Sequence, residues 1–114
     1  MDELVDQIAS QTGIDRALAT KAVGIIVNFL GRDGPQPQVQ TLIDAIPGAR
    51  ELAEEHGGEG SGLMGVYGDL TAAGLGMGEI QAATRAFVSF AKAKVGEQQV
   101  DAVVGAIPGL GQFV

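Results

Sequence analysis

His56 is the one histidine of the chain, and Glu54, Glu55 and Glu59 stand within three residues of it. An imidazole among carboxylates is the raw material of a metal site or a general base. Either use needs donors held in fixed directions. Glu54-Glu-His-Gly-Gly-Glu-Gly-Ser-Gly offers them on a polar, glycine-rich tether, and there is no second histidine. These residues read as a solvated loop, with no metal ligand assigned. Ser61, between Gly60 and Gly62, lacks the register of a nucleophile elbow, which would need glycine at the positions held by Glu59 and Leu63. With His56 as its one candidate base, no catalytic residue is assigned. The chain has no cysteine, which removes thiolate ligands, disulfides and a cysteine nucleophile together.

Gly74, Gly76 and Gly78 precede a helical pattern, as glycines do in phosphate-binding loops. Neither the Gly-x-Gly-x-x-Gly nor the Gly-Lys-Ser/Thr spacing is present, and Glu79 at the helix start repels phosphate. The stretch reads as a tight turn between helices, and no cofactor is expected. A different glycine series rises above background. Gly62, Gly65 and Gly68 recur every third residue along a helix expected from about 61 to 73. Each interior glycine costs about 1 kcal/mol relative to alanine, so a gain should offset it. A smooth strip lets a neighbouring helix approach closely. Gly62, Gly65 and Gly68 are therefore the candidate packing or self-association strip, filled by the rest of the chain or by a second copy.

The elements that would carry these residues are all helical. Leu4, Val5, Ile8 and Ala9 share one face of a first helix from 2 to 11, stopped near Gly13. Asp15 is a good N-cap for a second helix, running to about Leu30 with Leu18, Ala22, Ile25, Ile26 and Phe29 inward. Gly31 to Pro37 is turn chemistry. Val39, Leu42, Ile43 and Ile46 then mark a short third helix halted at Pro47-Gly48, and Ala49 to Glu55 a fourth anchored by Leu52. From residue 61 the pattern restarts: Leu63, Val66, Tyr67 and Leu70; then a long helix from Glu79 to Val95 with Ile80, Ala83, Phe87, Phe90 and Ala91 inward. Val100, Val103, Val104 and Ile107 follow, halted at Pro108-Gly109, with a terminal stub from Pro108 to Val114.

The restart is a repeat. At an offset of 61, residues 13–53 lie over 74–114 without a gap, with ten of 41 pairs identical, including the tetrapeptide Ala-Ile-Pro-Gly at 45–48 and 106–109. The expected fold is all-α: six main helices and two short ones in two similar units about a pseudo-twofold axis. The first unit spans about 1–55, a flexible connector about 56–61, and the second unit about 62–114, all within one domain. Two units are fewer than a solenoid needs, so they should close face to face on one core.

The Ala-Ile-Pro-Gly turn, the glycine-rich middle and Ala73-Gly-Leu-Gly-Met-Gly-Glu79 opening a long helix resemble small bacterial helical domains of the VcgC/VcgE type. That resemblance implies an all-helical domain of unknown function and carries no activity to any residue.

Charge narrows the partners. Of a net −7, residues 1–60 carry −6 and residues 61–114 carry −1. So acidic a chain repels phosphate backbones and anionic membrane surfaces, so nucleic acid is not expected as a partner. The longest uncharged run, Ala102 to Val114, is 13 residues and broken by Pro108, short of the roughly 20 that span a bilayer. Met1-Asp2-Glu3 is the opposite of a basic signal-peptide start, so a cytoplasmic location is expected. Function is expected to be a non-catalytic, self-associating interaction or structural module. The alternative is a carrier of a small apolar ligand between the two units, and a hydrolase-type enzyme with no visible catalytic set comes third. A module should expose an apolar patch of several hundred Å²; a carrier should enclose an apolar pocket.

Overall fold

A computed structural model describes residues 2–33, 36–46, 48–56 and 62–107, the side chains of Asp2, Asp33, Gln36, His56, Leu63 and Met64 excepted. Described residues form seven helices and no strand: α1 (Asp2–Thr12), α2 (Arg16–Asp33), α3 (Gln36–Ala45), α4 (Ala49–His56), α5 (Gly62–Ala73), α6 (Met77–Val95) and α7 (Glu97–Ala106). The expected connector glycines 57–60 and the stub from Pro108 to Val114 lie outside the described residues. No helix among them is long and apolar enough to cross a membrane.

The joints follow from local chemistry. Gly13 (φ +80°) and Gly74 (φ +116°) turn the chain out of α1 and α5 through backbone conformations that side chains disfavour. The Leu18 N–H donates to Asp15 Oδ1 at 2.8 Å, which caps α2. Two boundaries differ from expectation. α2 continues through Gly31, Arg32 and Asp33, and α3 opens at Gln36 with Pro37 in its first turn, where a missing N–H costs nothing. Packing overrides glycine's low propensity here: Leu30 is buried, and a Cβ on Gly31 would lie 4.0 Å from Ile43 Cδ1 of α3. α6 begins at Met77 rather than Glu79, because Glu79 Oε1 accepts from the Gly76 N–H at 2.8 Å and closes the first turn two residues earlier.

Buried side chains form one continuous aliphatic cluster. α2 is its centre, packed by α1, α3, α4, α5 and α6. It consequently buries Ala19, Ala22, Val23, Ile25, Ile26, Val27, Phe29 and Leu30, nearly its whole circumference, where a single inward face was expected. α1 lies on α6, α5 on α2, and α3 on α7, so the two halves interleave. Exposed pairs tie the surface: Arg16 with Asp6, and Arg50 with Asp44 (2.7 Å) and Gln40 (2.8 Å). Pairs this exposed contribute between about 0 and 1 kcal/mol each, so burial of the aliphatic cluster dominates.

Candidate functional site

An apolar cavity of about 40 Å³ with an opening to solvent lies where the halves meet. α2 supplies Ile26, Phe29 and Leu30 and α3 supplies Leu42. From the second half come Val66, Tyr67 and Leu70 of α5, Ile80, Thr84, Phe87, Val88 and Ala91 of α6, and Val100, Val103 and Val104 of α7. Helical periodicity explains why each is there: 80, 84, 87, 88 and 91 form one stripe of α6, and 100, 103 and 104 one stripe of α7. Twelve of the fifteen are buried; Tyr67, Val88 and Val104 are half-buried and mark the mouth.

Thr84 is the one polar side chain in the buried wall, and its hydroxyl donates to the Ile80 carbonyl at 2.8 Å. The buried wall therefore has no free hydrogen-bond donor to offer, although the Thr84 oxygen can still accept. Burying a polar atom against such a surface costs several kcal/mol, so the cavity accepts apolar groups. Its size sets a second limit. About 10–15 Å³ admits one water-sized probe, while a cavity that holds benzene measures about 150 Å³. At about 40 Å³ the site takes the end of a narrow chain before it takes a ring.

The chemistry-bearing candidates of the sequence lie elsewhere. His56 closes α4 with its side chain outside the described residues, and Glu59 and Ser61 are outside them too. Glu54 and Glu55 are exposed on α4, and no three His, Cys, Asp or Glu side chains converge among the described residues. At the Gly74–Gly78 turn, Glu79 already occupies the Gly76 N–H. On α5, Gly68 is exposed and a Cβ there would meet nothing within 4 Å; Gly65 is half-buried. Gly62 begins the helix. Over Gly68, then, no side chain of the described residues fills the strip.

Two buried polar atoms have no hydrogen-bond partner among the described residues, Asn28 Oδ1 and Asp69 Oδ2. The Asn28 amide uses its other end, donating to the Ala53 carbonyl at 3.3 Å and pinning α4 on α2. Asp69 lies on the side of α5 opposite Tyr67, one turn after Val66 of the wall. The cavity itself escaped sequence reasoning because its lining comes from five helices. Among known proteins, the chain matches no family model, no curated sequence and no solved structure.

Proposed function

We propose that this chain is a non-catalytic binding module that holds a small apolar group in the pocket between its two halves. The single observation that carries this reading is the almost wholly apolar, partly open cavity whose one buried hydroxyl spends its proton on the Ile80 carbonyl. Met77 is the one large apolar side chain exposed among the described residues, at 63%. That a single large apolar side chain is exposed among them favours the pocket over the surface. A filled pocket tests it. Ala91→Leu with Val103→Leu restores the residues that the first half carries at the matching positions. Titrating 1-octanol into the natural chain should give saturable binding, at least tenfold weaker in the filled variant at unchanged helical circular dichroism. Equal binding by both chains, or none by the natural one, overturns the reading.

A second reading, self-association, has its own observation. Gly68, Thr71 and Ala72 form an exposed, uncharged face of α5, and Met77 follows at the start of α6. The Gly62, Gly65 and Gly68 series would then receive a helix of another copy. Gly65→Leu should weaken association in sedimentation velocity while the monomer stays folded. An unchanged sedimentation profile sinks that version.

The two halves are proposed to be a duplication about a pseudo-twofold axis, in keeping with the resemblance to VcgC/VcgE-type domains. Several observations support it. α2 and α6 start at 16 and 77, and α3 and α7 span 36–45 and 97–106, all offset by 61. The Ile46 N–H donates to the Ile43 carbonyl at 3.2 Å, and the Ile107 N–H to the Val104 carbonyl at 3.3 Å. Packing of α1 on α6 is mirrored by α5 on α2.

A further inference from the structure

The rim of the pocket carries positive charge on an otherwise acidic protein. Val88 sits at the mouth on α6. Arg85 and Lys92, three residues before it and four after, are its neighbours along the same helix face, where such spacings bring side chains side by side. Arg85 is exposed and has no ion-pair partner among the described residues. Lys92 is held only loosely, with Nζ 3.9 Å from Asp101 Oδ1 across to α7, its own side chain partly and that of Asp101 largely solvated. Asp101 lies one turn before Val104, the mouth residue of that helix, and pairs with Lys92 at this rim, whereas Asp69 is placed on the side of α5 opposite the mouth residue Tyr67. Lys94 is turned aside, over the Phe90 ring at 5.2 Å and toward Glu3. Two cations against one acid thus border the opening, in a chain whose net charge is −7.

We infer that the pocket takes an anionic single-chain amphiphile, its unbranched alkyl end in the apolar slot and its carboxylate or equivalent anion between Arg85 and Lys92. The inference rests on the pocket reading above and adds the ligand's charge and shape to it. The slot excludes a buried carboxylate, because the one buried wall hydroxyl has already spent its proton on the Ile80 carbonyl. At about 40 Å³ it also excludes a ring in favour of a straight chain. At the mouth, a guanidinium in open solvent gains most from a carboxylate, which it pairs in a bidentate geometry.

The experiment compares three probes of equal tail by isothermal titration calorimetry on the full chain: octanoate, 1-octanol and octyltrimethylammonium. Octanoate should bind about three- to tenfold more tightly than octanol, and the ammonium more weakly than either. Raising the salt should shrink the octanoate preference, since these charges are exposed. Arg85→Gln and Lys92→Gln, both on the surface, should remove that preference while leaving octanol affinity unchanged. Octanol binding as tightly as octanoate, or a preference that survives both substitutions, would overturn the assignment of charge and leave the pocket itself standing. Failure of all three probes would bring down the pocket reading and this inference together.

Discussion

Ile46 and Ile107 are each the last apolar residue of a helix before Pro-Gly, and each is buried, at 1% and 4% exposure. Replacing either with alanine removes about three methylene equivalents from the core, worth about 2.4 kcal/mol at ~0.8 kcal/mol each. The space left behind adds to this, since neighbours relax only partly. At about 24 cal/mol per Å³, a residual cavity of about 60 Å³ contributes a further ~1.4 kcal/mol. Each variant should therefore lose about 2.5–4 kcal/mol. With a urea m-value of about 1–3 kcal/mol/M for a domain of this size, the midpoint should fall by at least about 1 M. Equilibrium urea denaturation followed by helical circular dichroism measures both variants on the same footing. The proposed duplication makes a sharper demand: the two losses should agree within about 1 kcal/mol. A loss under about 1 kcal/mol at either site would mean that its helix end is not packed. Two large but unequal losses would leave the packing intact and break the equivalence of the halves.

Three other outcomes follow from the same structure. Val103→Leu should stabilise the chain by up to about 1 kcal/mol, because filling about 40 Å³ at ~24 cal/mol per Å³ recovers that amount; a loss of stability in thermal unfolding would mean the space is already closed. Asp15→Ala removes the cap on the Leu18 N–H and should cost about 1 kcal/mol in the same urea assay. Gly68→Ala enters open space on a helix and should stabilise the monomer by about 0.5–1 kcal/mol; destabilisation at every concentration would place a close neighbour over α5.

Much of the helical frame was legible because one period suffices to read it. Ile80, Ala83, Phe87, Phe90 and Ala91 recur at helical spacing, and all five are buried. The same holds for Val39, Leu42, Ile43 and Ile46. What periodicity cannot supply is the number of neighbours a helix will have. α2 reads as amphipathic, yet Ala19, Val23 and Val27 are buried as deeply as Ala22, because α4 and α5 close faces that a lone helix would leave wet. The same missing information let Gly31 read as a turn. A Cβ there would reach only ordinary contact with Ile43 of the neighbouring helix, and the helix carries on through it. The pocket was hidden for a related reason: Leu42 and Tyr67 are far apart in the chain and meet only once α3 and α5 are placed around α6.

On the proposed duplication, the cationic rim has an origin that bears on its use. The positions matching Arg85 and Lys92 in the first half are Gly24 and Gly31. Gly24 is buried in α2, the helix against which α4 is laid, and Gly31 lies against Ile43 of α3. Val27, between them, is 1% exposed, whereas its counterpart Val88 is half-buried at the mouth. A face of α2 with two glycines thus corresponds to a face of α6 with two long cations. Lys92, in the place of Gly31, should stand beside Val104 as Gly31 stands beside Ile43, which puts its ammonium at the pocket's edge. The neighbouring changes run both ways: Leu30, Leu42 and Ile43 have the smaller Ala91, Val103 and Val104 opposite them in the repeat, while Ala19 and Ile26 have the larger Ile80 and Phe87. The wall is thus reshaped rather than emptied, and charge is the change that runs one way. Loss of α4-type packing alone would favour polar residues of either sign at the two outer positions, whereas both carry cations.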